Sequence, residues 1–194
     1  CATIAAEPIC WLVAMPGMID LLIDGLRRNA TRPRGVRVVG AMADLVPLQQ
    51  IADLTGLLDA PYINSFGATE TGLPPASGAL LAPGVLPTSL AKRESAFCCV
   101  RLVDADDRDV PPGTPGEAVL RGPTLFSGYW NAPEVNAHEF RGGWFHMGDL
   151  FVRRADGMLD FVDRAKYLIK SGGENIYPAE IERVLLAQAA VADA

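Results

Sequence analysis

The sequence is poor in lysine, histidine and cysteine, and each shortage excludes a class of function. Its 194 residues include three lysines and two histidines, and the formal net charge is −6. A chain this acidic has no large basic surface to neutralise a phosphate backbone. Nucleic acid is therefore not expected as a partner. The four cysteines form no C-x-x-C pair and share no ligand spacing with the histidines, which argues against zinc. We expect reduced, buried thiols in a cytoplasmic protein.

The sequence also lacks an apolar segment that could span a membrane. The longest uncharged stretch, residues 71–91, contains four prolines and several glycines, which would interrupt a spanning helix. No lysine follows a glycine, so there is no Walker loop and the P-loop NTPases are excluded. The chain starts at Cys1 without a basic n-region or initiating methionine, which we interpret as a piece of a longer polypeptide with no targeting signal.

Apolar side chains make up 49% of the residues, which excludes disorder as the dominant state. Up to residue 66, short apolar runs alternate with amphipathic stretches of helical length, a pattern typical of parallel α/β sheets. Strands are predicted at 9–13, 36–39 and 61–64. Pro16 suits the start of the first helix, and Asp44 can cap the second.

After residue 70, glycine and proline separate β-rich stretches. Strands are predicted at 97–103 and 117–121, which indicates a small antiparallel sheet or barrel. Two more short strands are predicted at 158–162 and 167–170, before a helix that starts at Pro178. The predicted fold class is therefore α/β, with parallel βα units followed by antiparallel strands.

Residues 65–72, S-F-G-A-T-E-T-G, lie just beyond a predicted parallel strand, where open α/β sheets bind their ligands. An aromatic ring can stack on a base, and glycine allows a ligand to approach the backbone. A threonine hydroxyl can bind phosphate, and a carboxylate can hold a divalent cation. The alternative, a polar turn after a buried strand, is the simpler interpretation of this segment taken alone.

Residues 143–150, G-W-F-H-M-G-D-L, place a single carboxylate after an aromatic run. Asp149 can accept hydrogen bonds from two adjacent ribose hydroxyls. The alternative role for the same side chain is to cap a turn. A metal site made of His146 and Asp149 would lack a third ligand nearby.

The segment 163–182 completes an ordered series of motifs. It contains S-G-G-E-N-I-Y-P-A-E-I-E, and residues 116–131 supply G-E, R-G, G-Y and N in order. Together the segments resemble the adenylate-forming superfamily, which includes acyl- and aryl-CoA ligases, luciferases and the adenylation domains of peptide synthetases. The string at the glycine pair resembles the CoA-ligase version.

The resemblance implies a role for each residue at a matching motif position. The residues implied to contact ATP or AMP are Gly40, Ala41, Phe66, Gly67, Ala68, Thr69, Asp149 and Arg164. Among these, Phe66 replaces the usual stacking tyrosine, and Asp149 and Arg164 would bind the ribose. The residues implied to act in catalysis are Thr69 at the phosphate, Glu70 as the Mg²⁺ ligand and Lys166 as the hinge of a rotating lid. The residues implied to line the coenzyme A tunnel are Ser171, Gly172 and Gly173.

The resemblance also divides the chain. It implies the end of a nucleotide- and acyl-binding subdomain at 1–74, a β-barrel subdomain at 75–162, a hinge at 163–166 and the start of a mobile α+β lid at 167–194. The family's P-K-G phosphate loop would precede this chain and its catalytic lysine would follow it. The isolated fragment is therefore expected to be inactive.

The activity implied for the parent is an ATP-dependent carboxylic acid:CoA ligase. It would use ATP, Mg²⁺ and coenzyme A on a small carboxylic acid in the cytoplasm, and a homo-oligomer is compatible with the sequence. Two alternatives stay open. One is another adenylate-forming enzyme, either carrier-protein-loading or luciferase-like, and the other is a non-catalytic nucleotide-binding fragment. The acid is not identified, because much of the family's acyl pocket would lie upstream.

Overall fold

The computed structural model describes residues 2–29, 33, 35–167, 169–171, 174–188 and 190–191. The chain forms two compact units, each assembled from two separate stretches. Unit 1 comprises the described residues of 1–66 together with 78–90, and unit 2 comprises 67–77 together with the described residues from 91 onward. The strands form a mixed sheet, a four-stranded antiparallel sheet and a short hairpin, so the fold is mixed α/β.

Unit 1 is built from parallel strands joined by helices. Its elements are α1 (Ala2–Ala6), β1 (Trp11–Val13), α2 (Pro16–Asn29), β2 (Val38–Ala41), α3 (Leu48–Leu58), β3 (Tyr62–Phe66) and the last four residues of β4 (Ala76–Leu81). β1 pairs with β2 and β2 with β3, both in parallel. Parallel neighbours need a crossover connection, which α2 and α3 provide. The predicted parallel arrangement is confirmed.

The helices of unit 1 bury one face each against this sheet. α2 begins at Pro16 as predicted, because a proline at the first helical position has a suitable φ and leaves no orphan N–H. The buried apolar residues that these helices contribute include Ile19, Ile23, Leu26, Ile51 and Leu54. Each such side chain contributes roughly 1.5–3 kcal/mol when fully buried, so this core holds the strands in place.

Two boundaries in unit 1 differ from the prediction. α3 starts at Leu48, after Pro47, and the prediction that Asp44 caps it is wrong. The Asp44 carboxylate instead accepts a hydrogen bond from Nδ2 of Asn64 at 3.2 Å. β2 covers Val38–Ala41 rather than residues 36–39. For Asp44, the contact with Asn64, twenty positions away, overrides the local capping preference of aspartate.

Unit 2 contains the remaining elements. They are a 3₁₀ turn (Thr69–Thr71), the start of β4, β5 (Arg93–Glu94), β6 (Cys99–Val103), β7 (Pro115–Arg121), α4 (Pro133–Glu139), a 3₁₀ turn (Arg141–Gly143), β8 (Phe145–Arg153), β9 (Leu159–Arg164), a 3₁₀ turn (Ala165–Tyr167), β10 (Ile169–Ser171), β11 (Glu174–Ile176) and α5 (Pro178–Leu186). β6, β7, β8 and β9 form an antiparallel sheet in that order. β10 and β11 form the hairpin.

The antiparallel sheet of unit 2 is confirmed. In the part of the chain that the structure describes, β6 and β9 are its two edges and do not pair with each other, so closure into a barrel stays a prediction. The strand expected at 167–170 is shorter, because residues 165–167 form a 3₁₀ turn and β10 begins at Ile169. α4 was not expected. The predicted hinge and lid both fall within unit 2.

The cysteines correct one expectation. Cys10, Cys98 and Cys99 are free thiols, but only Cys98 is buried, while Cys10 and Cys99 are exposed. Burial raises the pKa of the Cys98 thiol, which makes it the less reactive member of the adjacent pair. Within the described ranges, no helix is long and apolar enough to cross a membrane.

Candidate functional site

The loop at 67–72, directly after β3, is closed by Thr71. The Thr71 hydroxyl accepts a hydrogen bond from the Ala68 N–H at 3.2 Å and donates one to the Ala68 carbonyl at 2.8 Å. Gly72 has a φ of +66°, and a Cβ there would lie 2.7 Å from the carbonyl oxygen of Thr124, so only glycine fits. With the turn closed in this way, Thr69 is exposed and Glu70 is half-buried.

The Glu70 carboxylate is held by a tyrosine from a distant part of the sequence. Tyr129 Oη donates a hydrogen bond to Glu70 Oε1 at 2.9 Å, although 59 positions separate them. The Phe126 N–H donates to the Glu70 carbonyl oxygen at 2.9 Å. Partial burial, together with the hydrogen bond to Glu70 and its charge, raises the pKa of Tyr129 to about 12. The phenol is therefore a neutral donor at physiological pH.

Glu70 is suited to a hard cation that also binds phosphate. Tyr129 uses one acceptor position on Oε1, and a carboxylate has about four such positions. Mg²⁺ is usually held by one or two carboxylates together with substrate phosphates rather than by a protein cage. In the described part of the chain, no three His, Cys, Asp or Glu side chains cluster as metal ligands. A Mg²⁺ ion held by Glu70 together with a nucleotide stays a prediction.

The two residues predicted to bind the ribose lie opposite each other on adjacent strands of the antiparallel sheet. Asp149 in β8 is in register with Arg164 in β9, and Arg164 Nε lies 3.4 Å from Asp149 Oδ1. Their side chains are 8% and 51% exposed, respectively, so the carboxylate is enclosed while the guanidinium reaches solvent. An ionised carboxylate only accepts hydrogen bonds, and its two oxygens suit the two hydroxyls of a vicinal diol.

Glu117 in β7 fixes the backbone just before Asp149. Its Oε1 accepts a hydrogen bond from the Gly148 N–H at 3.1 Å, and its Oε2 lies 3.2 Å from Nδ1 of His146. Gly148 has a φ of +74°, a conformation that glycine adopts without strain. His146 is buried against Glu117, which gives this histidine a structural partner within the sheet.

Gly40 and Ala41 end β2 beside β3. They are in register with Ile63 and Asn64, respectively. A Cβ at Gly40 would lie 2.8 Å from Ile63 Cγ2, so a larger residue here would require the Ile63 side chain to shift. The buried Asn64 side chain accepts a hydrogen bond from the Ala43 N–H at 2.8 Å. This bond fixes the path of the chain as it leaves β2.

Phe66 ends β3 with its residue only 2% exposed. Stacking on a base needs an accessible ring face, so the predicted role requires the ring to be uncovered and stays a prediction. Gly67 follows it, and a Cβ there would lie 3.1 Å from the Thr71 hydroxyl. The start of the loop is thus closely packed, though less tightly than its end at Gly72.

The predicted hinge, residues 163–166, covers the last two residues of β9 and the first two of the 3₁₀ turn Ala165–Tyr167 that leads to β10. The side chain of Lys166 lies outside the described residues, as do the side chain of Ser171 and the whole of Gly172 and Gly173. β10 ends at Ser171. The hinge and the coenzyme A tunnel stay predictions.

A buried carboxylate ties the end of β9 to the start of α5. Asp163, 4% exposed, accepts hydrogen bonds from the Arg164 N–H at 2.7 Å and from the Ala179 N–H at 3.0 Å. Ala179 is in the first turn of α5, where N–H groups lack partners within the helix and the dipole favours a negative charge. Asp163 therefore holds α5 in the orientation seen here.

Sequence reasoning assigned no role to Tyr129, Glu117 or Asn64. Glu117 and Tyr129 do occur in the G-E and G-Y dipeptides of the resemblance, which was the available signal. Asn64 lies on the same buried face of β3 as Tyr62 and Phe66, and a polar residue on a buried face needs hydrogen-bond partners.

The chain belongs to the AMP-binding enzyme family. Residues 1–130 match the family model described as AMP-binding enzyme, which is more than half of the 194 residues. The motifs of the adenylate-forming resemblance extend beyond that match, into β8, β9 and α5. The predicted family is confirmed.

Curated relatives agree with this assignment. The chain is 34% identical over 182 residues to an indoleacetate–CoA ligase of Aromatoleum aromaticum, covering 94% of this chain and 35% of that protein. It is 39% identical over 149 residues to a 2-succinylbenzoate–CoA ligase of a Geobacillus species, covering 76% and 29%. The solved O-succinylbenzoate CoA synthetase of Bacillus subtilis with ATP and a magnesium ion superposes with a TM-score of 0.77 at 29% identity, covering 99% and 39%. The chain thus spans about a third of the length of these relatives.

Proposed function

We propose that this chain is part of an ATP-dependent carboxylic acid:CoA ligase that forms an acyl-adenylate and then an acyl-CoA thioester. The observation that carries the proposal is the enclosed Asp149 carboxylate in register with Arg164, which suits the ribose of a nucleotide. The relatives named above are CoA ligases, and the solved relative binds ATP with a magnesium ion.

The proposed reaction has two steps. A carboxylate oxygen of the acid attacks the α-phosphorus of ATP, the bond from that phosphorus to the bridging oxygen breaks, and pyrophosphate leaves. The coenzyme A thiol, losing its proton, then attacks the acyl carbonyl carbon and displaces AMP. Such chemistry depends mainly on positioning and on compensation of the phosphate charge.

The chain's own residues would bind and orient ATP. Asp149 accepts hydrogen bonds from the ribose hydroxyls beside Arg164, and the exposed Thr69 hydroxyl donates to a phosphate oxygen. Glu70 would hold Mg²⁺, which when bound neutralises phosphate charge. The residues proposed at the adenine are Gly40, Ala41, Phe66, Gly67 and Ala68.

The finer organisation belongs to the same proposal. We assign the barrel to 75–162, the hinge to 163–166 with Lys166 at its centre, and the lid to the residues from 167 onward. Ser171, Gly172 and Gly173 would line the path of the coenzyme A thiol. The partner is a small carboxylic acid, the enzyme acts in the cytoplasm, and self-association is left to measurement.

Product analysis tests this function on the complete polypeptide that carries this sequence. We expect AMP, pyrophosphate and an acyl-CoA from ATP, Mg²⁺, coenzyme A and one member of an acid panel that includes indoleacetate, 2-succinylbenzoate and ferulate. The 194-residue chain alone should release no pyrophosphate. Formation of ADP, or of an adenylate that never reaches coenzyme A but loads a carrier protein or reacts with oxygen, would contradict the ligase assignment.

A further inference from the structure

We propose that Tyr129 is a positioning residue that presets the Glu70 carboxylate for its cation. This inference rests on the proposed function, because it gives a role to a residue that acts through the proposed Mg²⁺ ligand. Its basis is the 2.9 Å hydrogen bond from Tyr129 Oη to Glu70 Oε1. Tyr129 belongs to the G-Y dipeptide. The resemblance assigns this dipeptide no role, and neither do the names of the relatives.

The backbone of Tyr129 is clamped at both of its polar groups. The Asn136 side chain accepts a hydrogen bond from the Tyr129 N–H at 2.7 Å and donates one to the Tyr129 carbonyl at 2.8 Å. Gly128 has a φ of +130°, and a Cβ there would lie 3.0 Å from Asn136 Oδ1. Only glycine lets this amide approach so closely. The backbone of Tyr129 is therefore held in place by the Asn136 side chain.

Its ring is fixed as well. The rings of Tyr129 and Phe126 meet edge to face, with 4.8 Å between their centroids. Phe126 also packs against Phe140 and Phe145. The Phe126 N–H donates to the Glu70 carbonyl oxygen at 2.9 Å. The segment around Phe126 and Tyr129 therefore holds both the backbone and the carboxylate of Glu70.

Holding that carboxylate matters because glutamate is flexible. Ordering a free glutamate side chain costs rotamer entropy. A hydrogen bond that already restrains the side chain in the unliganded protein reduces the ordering needed when a cation arrives. Partners that orient metal-binding side chains commonly change metal affinity by 10–100-fold when removed.

The test is the Mg²⁺ dependence of ATP binding at equilibrium, measured by calorimetry on the complete polypeptide without a carboxylic acid, so that no turnover occurs. We expect Tyr129→Phe to raise the Mg²⁺ concentration for half-maximal enhancement of ATP binding by about tenfold. Binding of ATP without Mg²⁺ should not change. Phenylalanine keeps the ring that packs on Phe126, and the melting temperature reports whether the fold is intact.

Trp130→Phe is the matched control, since Trp130 is the next residue and is 97% exposed; it should behave as wild type. Glu70→Gln should remove most of the Mg²⁺ dependence.

A wild type whose ATP binding does not depend on Mg²⁺ would overturn both the proposed function and this inference. If wild type and Glu70→Gln behave as expected but Tyr129→Phe keeps the wild-type midpoint, or loses metal-free ATP binding equally, only the role of Tyr129 fails.

Discussion

Asp149 combines a nearly enclosed carboxylate with a largely exposed partner. The ion pair with Arg164, at 3.4 Å and with the guanidinium 51% exposed, resembles surface pairs that contribute about 0–1 kcal/mol to stability. The pair with Arg164 therefore contributes little to the free energy of folding. Hydrogen bonds to a bound diol would give this carboxylate additional partners.

Asp149→Ala should weaken ATP binding at least about tenfold in the complete polypeptide. Each charge-assisted hydrogen bond to a ribose hydroxyl contributes roughly 1.5–3 kcal/mol before water compensates. The measurement is calorimetry with ATP and with 2′,3′-dideoxy-ATP, which lacks both hydroxyls and should be nearly indifferent to the substitution. Equal losses for the two nucleotides would make Asp149 a structural residue.

At the residue scale, the sequence motifs brought forward candidate residues, and the structure tests only whether these lie close together. Asp149 and Arg164 were predicted together, and the register of β8 and β9 places them opposite each other. The contact between Tyr129 and Glu70 was not predicted, because the 59 positions between them are bridged only by tertiary structure. For Phe66, the sequence indicates an aromatic ring at the right motif position, but it does not indicate that the fold encloses this ring.

At the scale of elements, the antiparallel sheet depends on backbone approaches that side chains would block. A Cβ at Gly122, just after β7, would clash with the backbone carbonyl oxygen of Phe97. A backbone carbonyl cannot relieve a clash by changing rotamer, as a flexible side chain can. The segment before β6 therefore packs against this position only because the residue is glycine.

Gly122→Ala should lower the free energy of unfolding by about 1–3 kcal/mol, as overpacking typically does. The matched control is Gly17→Ala near the start of α2, where a Cβ would meet nothing within 4 Å. That variant should be unchanged or up to about 1 kcal/mol more stable, because alanine restricts the unfolded chain. Urea unfolding of both variants measures the difference, and equal effects would refute the steric argument.

Elements with a strong local signal were predicted, and those set by distant partners were not. Pro16 starts α2 as expected because its φ and missing N–H act locally. Asp44 has an equally good local preference for capping, but its carboxylate is engaged by Asn64. β4 lies in a stretch rich in glycine and proline and depends on pairing with neighbouring strands, which include β5 at Ala76 and Ser77.

At the scale of the whole molecule, the proposed hinge implies a lid that adopts two orientations, one for each step of the proposed reaction. The structure contains one arrangement, in which Asp163 accepts the Ala179 N–H of α5 at 3.0 Å. A rotation at 163–166 that carries α5 away would break that hydrogen bond. Hydrogen bonds to charged groups contribute about 1.5–3 kcal/mol, so the carboxylate opposes the rotation until water or another donor replaces Ala179.

Lys166→Pro should separate the two half-reactions of the complete enzyme. Proline fixes φ near −65° and removes the N–H, so a hinge that must change its dihedral angles would be trapped. We expect a modest fall in adenylate formation, measured by pyrophosphate exchange, and a fall by orders of magnitude in thioester formation from purified acyl-adenylate. Lys166→Ala, which keeps the backbone free, is the control. An unchanged ratio of the two rates would end the hinge assignment.

The path of the chain through the two units also governs the order in which they can form. The chain enters unit 2 at Gly67, returns to unit 1 at Gly78 and leaves it again after Leu90. During synthesis from the N-terminus, unit 1 cannot gain its last stretch until residue 90 has left the ribosome. Residues 67–77 must in turn wait for partners such as Phe126, which bonds to Glu70. Folding of this region is therefore interleaved rather than sequential, and contacts distant in sequence slow it.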